Sequence, residues 1–108
     1  MDLNLLKSTV DQVHPLNEEA WATFSRLWQT SSFERGEYFA RAGDFPTSMA
    51  FVQEGVFRAF YRNEEGTEYN KTFFIEGTLM APLAALILRQ ENQINLQALT
   101  LAKVLTAP

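Results

Sequence analysis

The sequence contains no cysteine and a single histidine, His14. Without cysteine there can be no disulfide, no thiolate metal ligand and no cysteine-ligated iron–sulfur cluster. A zinc or iron site needs several converging ligands, so we expect His14 to be an exposed loop residue and the chain to hold no metal. Nucleophilic catalysis needs a nucleophile beside a base, and one histidine near the N-terminus gives no credible triad. We therefore expect no catalytic residues and no enzyme.

Positive charge and long apolar runs are also scarce. Nine Lys and Arg residues stand against thirteen Asp and Glu, which gives a formal net charge of -4. A DNA-binding protein needs a basic face to neutralise phosphates, so we expect this chain not to bind DNA by itself. The longest apolar stretch, 79–88, is too short to span a membrane, and the N-terminus resembles no signal peptide. These features predict a cytoplasmic protein without a membrane partner.

One helix is predicted near the N-terminus. Asn17 is placed to cap it, and Glu18 and Glu19 put negative charge in its first turn, where the helix dipole favours it. Its apolar stripe follows helical spacing and consists of Trp21, Phe24, Leu27 and Trp28. We interpret the stripe as core packing rather than as an aromatic ligand cage, because large aromatic side chains chiefly bury area.

Beyond Thr30 the pattern changes to short runs of strand-forming residues separated by glycine. The predicted strands are 32–34, 38–41, 48–53, 56–62, 67–75, 95–100 and 103–106, and the Ala- and Leu-rich segment 79–88 predicts a short helix. Closely spaced short strands favour an antiparallel sandwich, roll or barrel. Alternation within 56–62 predicts that Phe57, Ala59 and Tyr61 point inward while Arg58 and Arg62 face outward.

An ordered series of glycines and their neighbours indicates a family. The series consists of Gly36-Glu37, Gly43-Asp44, Phe51-Val52-Gln53-Glu54-Gly55, Arg58, Gly66 and Glu76-Gly77. From about Leu16 to Leu105 it resembles the cyclic-nucleotide-binding domain, and more narrowly the sensor half of transcription regulators of the cAMP receptor protein and Fnr superfamily. The resemblance implies a mainly β fold: an antiparallel double-stranded β-helix, or jelly-roll-like β-roll, with an N-terminal helix and a short cassette helix. It implies one sensor domain over residues 1–108, truncated before the dimer helix and the helix-turn-helix.

The two side chains that hold a cyclic nucleotide in that family have no counterpart here. In the family, a Glu accepts hydrogen bonds from the ribose hydroxyl and an Arg pairs with the phosphate. Ala81 and Pro82 stand where the family has Gly and that Glu, and Asn92 takes the Arg position. A buried phosphate without a paired cation is costly. We therefore expect no cofactor, and no cAMP or cGMP bound in the usual way.

The same comparison gives a candidate ligand-binding site for a neutral or largely apolar effector. Its residues are Met80, Ala81, Pro82, Leu83, Leu86, Asn92, Gln93 and Ile94. The alternative is that Met80, Leu83 and Leu86 simply fill the core.

By resemblance, the function is that of the sensor or effector-binding domain of a Crp/Fnr-type transcription regulator. The expected partners are a small-molecule effector, DNA only through a missing C-terminal domain, and a second copy in a full-length homodimer. Two other functions remain open. One is a ligand-free structural dimerisation or protein-interaction domain, and the more distant one is a cupin-like enzyme, which the single histidine disfavours.

Overall fold

The computed structural model describes residues 1–81 and 83–108, except for the side chains of Lys71, Leu83, Ala84 and Ala85. Two helices open the chain, and short strands follow. The elements are α1 (Asn4–Val13), α2 (Glu18–Ser25), β1 (Gln29–Phe33), β2 (Tyr38–Ala40), β3 (Met49–Glu54), β4 (Phe57–Arg62), β5 (Glu68–Phe74), β6 (Leu79–Met80), α3 (Leu83–Leu88), β7 (Asn95–Ala98) and β8 (Ala102–Ala107).

The strands form two four-stranded sheets. One sheet has the order β1-β8-β3-β6 and the other the order β2-β7-β4-β5, and the strands within each sheet pair antiparallel. Sequence neighbours such as β1 and β2, or β7 and β8, lie in different sheets, so the chain winds from one sheet to the other. This arrangement confirms the predicted mainly β roll.

Two clusters of buried side chains hold the layers together. The first lies between the sheets and consists of Ala50, Val52, Phe57, Ala59, Met80, Leu96, Ala98, Ala102 and Val104. The second joins the helical N-terminal region to the outer side of β3 and β8, and consists of Leu6, Trp28, Phe51, Leu105 and Ala107. Because β3, β4, β7 and β8 each contribute alternate residues to the first cluster, the cluster fixes which face of each of these strands is inside.

The N-terminal region agrees with the sequence pattern in part. The side chain of Asn17 accepts a hydrogen bond from the Ala20 amide at 2.7 Å, which confirms the predicted cap. The expected stripe is wrong at Leu27, which is 50% exposed, because α2 ends at Ser25 and the helical spacing does not continue. Helix α1 was not predicted, although Leu6 is buried against the second cluster.

Strand β4 corrects one predicted face. Phe57 and Ala59 are buried between the sheets as expected, but Tyr61 is 46% exposed. Tyr61 lies at the end of β4, beside the hairpin turn and beyond the cluster that buries Phe57 and Ala59. On the other face, Phe60 is fully buried because the Arg58 guanidinium lies 3.8 Å from its ring centroid.

The segment 79–88, predicted to form the short cassette helix, is helical only in its second part. Leu79 and Met80 form strand β6, and the helix begins at Leu83.

Candidate functional site

The β4–β5 hairpin is held by the side chain of Asn63. Its Oδ1 atom accepts hydrogen bonds from the amides of Glu65 at 3.0 Å and Thr67 at 2.9 Å. The Thr67 carbonyl accepts from the Asn63 amide, and Gly66 takes a φ of 86°, a left-handed conformation that glycine adopts without steric cost. These bonds fix the direction in which the two strands leave the turn.

A register shift in this hairpin decides which side chains face each other. Ala59 pairs with Thr72 but Phe60 pairs with Asn70, so β5 contains one extra residue between these two positions. Such a bulge turns the following side chains to the opposite face of the strand. As a result Tyr69 lies opposite Tyr61, and Glu68 lies opposite Arg62.

The two tyrosines form a stacked pair at the open end of the hairpin. Their ring centroids are 5.2 Å apart with an angle of 22° between the planes. Tyr61 is 46% exposed and Tyr69 is 43% exposed, so both residues of the pair remain accessible to solvent. The Tyr69 hydroxyl accepts a hydrogen bond from Asn63 Nδ2 at 3.4 Å, which joins the pair to the turn.

A groove of about 760 Å³ runs beside this pair. It is lined by Tyr61, Arg62, Tyr69, Asn70, Gln93 and Ile94. The last two belong to the site predicted from the sequence. The hairpin residues were missed as site residues, because their approach to Gln93 and Ile94 depends on the long-range pairing of β4 with β7 and on the register shift.

The charge of Arg62 is compensated in the wall of this groove. Its Nη2 atom lies 2.7 Å from Glu68 Oε2, and its Nε atom donates to the same oxygen at 2.8 Å. The hydrogen bond to Glu68 raises the pKa of Arg62, and the hydrogen bond from Arg62 lowers the pKa of the Glu68 carboxyl. Both groups therefore stay ionised and paired, and the groove carries little net charge from them.

Asn92 lies in a different place from the groove. It is 5% exposed, and its backbone bonds to the β2–β3 loop through Asp44 and Gly43, each at 2.8 Å. Within the described residues, its buried Nδ2 atom has no hydrogen-bond partner. The side chain lines a cavity of about 140 Å³ whose other walls include Asp44, Thr47 and Ser48.

The remaining predicted site residues belong to the segment 80–86. Met80 is fully buried in the cluster between the sheets, while Ala81 and Leu86 are half-buried. Pro82 lies outside the described residues, as does the side chain of Leu83. The structure thus brings Gln93 and Ile94 together with the hairpin and places Asn92 in a separate cavity.

Within residues 1–81 and 83–108, no group of three or more His, Asp or Glu side chains is placed to hold a metal ion. None of the helices in these ranges is long and apolar enough to cross a membrane.

The sequence matches the model of a known protein family. The model of the family described as "Cyclic nucleotide-binding domain" matches residues 30–108. No curated protein matches the sequence of the chain.

Solved structures share the fold at low sequence identity. The catabolite activator protein of Thermus thermophilus is 20% identical with a TM-score of 0.76, over 87% of this chain and 44% of that one. The sensor domain of the transcriptional regulator DNR from Pseudomonas aeruginosa is 15% identical with a TM-score of 0.78, over 97% of this chain and 69% of that one.

A third structure of this kind belongs to a kinase subunit. The regulatory subunit of a cAMP-independent protein kinase A from Trypanosoma cruzi, bound to guanosine, is 17% identical with a TM-score of 0.73. The match covers 85% of this chain and 33% of that one. The chain therefore spans less than half the length of the activator and of the kinase subunit.

Proposed function

The chain belongs to the cyclic nucleotide-binding domain family, and we propose that it is the effector-sensing domain of a Crp/Fnr-type transcription regulator. We propose further that its effector is not bound through a phosphate group paired with an arginine. The domain is non-enzymatic in this proposal. Binding of the effector to one conformer better than the other shifts the population, and the shift is passed to the rest of the regulator. DNA binding and dimerisation belong to parts of the full-length regulator other than these residues.

The observation that carries the proposal is the state of Asn92. The resemblance assigns this position to the family's phosphate-binding Arg, and the neutral amide found there is 5% exposed. Its Nδ2 atom lacks a partner among the described residues, so the position offers a hydrogen-bond donor without a positive charge. A buried phosphate loses its hydration, and a neutral amide compensates much less of that loss than a guanidinium does.

The guanosine-bound kinase subunit supports an uncharged effector. That protein has the same fold, is described as cAMP-independent, and binds a nucleoside, which carries no phosphate. A member of this fold class can therefore hold a ligand without the phosphate that the usual anchor requires. We propose an uncharged effector for this chain on the same grounds.

The test introduces the family's two nucleotide-binding side chains, Glu and Arg, at positions 82 and 92. Isothermal titration of the unmodified protein with cAMP and cGMP should give no dissociation constant below about 10 μM. The double variant Pro82→Glu with Asn92→Arg restores the carboxylate and the cation, and we expect it to acquire measurable affinity for cAMP. The matched control, Pro82→Glu with Asn92→Gln, carries the carboxylate without the cation and should not bind.

Two results would contradict the proposal. Micromolar binding of cAMP by the unmodified protein would mean that other groups replace the missing anchors. A folded anchor variant without any nucleotide affinity would mean that Asn92 does not occupy the phosphate position.

Full burial of Met80 favours the second candidate function, a structural or protein-interaction domain without a ligand. The Met80 side chain packs in the cluster between the sheets, so it fills space in the core instead of lining a site that is open to a ligand. Native mass spectrometry of the purified protein distinguishes the two functions. A sensor domain retains added effector as a discrete mass shift, whereas a ligand-free domain shows the mass of the chain alone under every condition.

A further inference from the structure

We propose that the stacked Tyr61–Tyr69 pair is a binding platform for an uncharged planar heteroaromatic ring. This inference rests on the proposed function, because it places the ring of the proposed uncharged effector in the groove beside the tyrosines, separate from the cavity that Asn92 lines. The platform is formed by the β4–β5 hairpin, outside the cassette residues that the family resemblance identifies.

The exposure of the pair is the first argument. Two large rings that stack on each other gain from that contact, yet here 46% and 43% of the two residues remain in contact with solvent. They face a groove of about 760 Å³, which is large enough for a nucleoside-sized molecule. A planar ring laid against this pair buries the exposed aromatic area in the offset geometry that aromatic groups prefer.

The register shift in β5 is the second argument. Without the extra residue between Asn70 and Thr72, strand alternation would turn Tyr69 away from Tyr61. Bulges are frequent next to binding sites, where they re-aim a side chain. In this hairpin the bulge builds the aromatic pair and at the same time directs Glu68 to Arg62.

The amide of Gln93 indicates what the edge of the ring must offer. Gln93 Nε2 donates to the Glu91 carbonyl at 3.3 Å, so its Oε1 atom is the part left to accept. Asn70 pairs with Phe60 and accepts from Arg58 Nη1 at 3.3 Å, so its side chain lies on the face of the hairpin opposite to the tyrosines. A ring that carries a hydrogen-bond donor on its edge therefore suits the groove.

The charges around the groove indicate a neutral ligand. An exposed tyrosine pair attracts a cation only weakly, and the paired Arg62 and Glu68 side chains add no net negative charge that would strengthen the attraction. An anion gains little from Arg62, because Glu68 already holds that guanidinium at 2.7 Å. An uncharged ring is therefore the ligand class that the groove favours.

The experiment uses adenosine and guanosine as probes, with ribose as a probe that lacks the ring. Isothermal titration should show binding of at least one nucleoside by the unmodified protein and no binding of ribose. The double variant Tyr61→Ala with Tyr69→Ala should weaken that binding by about tenfold or more, since stacking of a base on aromatic side chains typically accounts for such a factor. The variant with both tyrosines changed to Phe keeps the rings and should stay within about threefold of the unmodified protein.

A matched control removes an exposed ring from the same strand but outside the groove. Phe73 is 55% exposed, and Phe73→Ala should leave nucleoside affinity unchanged. Circular dichroism melts of each variant establish that it is folded before it is titrated.

Two outcomes would overturn the inference. One is that neither nucleoside binds the unmodified protein at millimolar concentration. The other is that a nucleoside binds the unmodified and the double Ala variants equally well. The exchange at Pro82 and Asn92 leaves both tyrosines in place, so a failure here is separate from a failure of the proposed function.

Discussion

Substitution of Gly55 by alanine tests a close approach between two backbone segments of the roll. Gly55 connects β3 to β4 with a φ of 95°, in the left-handed region. A Cβ atom added there would lie 2.7 Å from the Leu101 carbonyl oxygen and 2.8 Å from the Ala102 Cβ atom. These contacts are with the backbone and the first side-chain atom of the β7–β8 connection, so no flexible side chain can move aside.

The magnitude follows from two separate costs. The left-handed conformation costs a residue with a Cβ atom about 1–2 kcal/mol. Overpacking against neighbours that cannot move adds about 1–3 kcal/mol. Gly36 supplies the matched control, because its φ is 91° and no atom lies within 4 Å of an added Cβ. Gly36→Ala should therefore show only the conformational cost, and Gly55→Ala should be about 1–3 kcal/mol less stable than that variant.

The assay is urea denaturation of both variants, followed by circular dichroism. The slope of the free energy of unfolding against urea concentration should stay constant, so that differences in midpoint report stability. Equal losses in the two variants would refute the reasoning, since the contact of Gly55 with the Leu101–Ala102 backbone would then contribute nothing.

Two further predictions concern the hairpin and its strand. Phe57→Ala should lower the free energy of unfolding by about 3–5 kcal/mol because the ring is fully buried, whereas Tyr61→Ala should lower it by about 1 kcal/mol or less. Similar losses of the two variants in urea melts would contradict the placement of Phe57 inside the roll and of Tyr61 at its surface. Glu68→Gln should destabilise the protein at neutral pH, because the pKa of this carboxyl is lowered in the folded state by its hydrogen bond from Arg62. The stability due to a lowered pKa is present above the ordinary value of 4.5 and is lost as the pH falls through the pKa of the folded state. The melting temperatures of the two proteins should therefore converge once the pH lies below the folded-state pKa. A constant difference down to about pH 2 would contradict the pairing of Glu68 with Arg62.

Local features of the sequence predicted the antiparallel β fold class and formed the basis of the resemblance to the family. Glycines at the strand reversals require a backbone conformation that other residues rarely adopt, and Gly36, Gly55 and Gly66 all have positive φ in the structure. Asn17 caps its helix through a hydrogen bond three residues along the chain. Such features depend on neighbours in sequence, so they can be predicted without knowledge of the tertiary structure.

Other predictions depended on contacts that no local pattern contains. Alternation along 56–62 predicted an inward Tyr61, but its burial depends on how far the opposite sheet extends, and Tyr61 lies beyond that cover. Phe60 is buried because Arg58 and Arg62 lie over its ring, at 3.8 Å and 5.3 Å. These outcomes required the pairing of strands that are distant in sequence.

The candidate site divides in the same way. The sequence alone determined that Asn92 carries no charge and that Gln93 and Ile94 lie just before a strand. Only the tertiary structure decided that Asn92 is buried in a cavity of its own and that Tyr61 and Tyr69 meet beside Gln93. The physical reason is the register of the β4–β5 pair: cross-strand packing sets it, and one extra residue in β5 is enough to turn a side chain from one face of the sheet to the other.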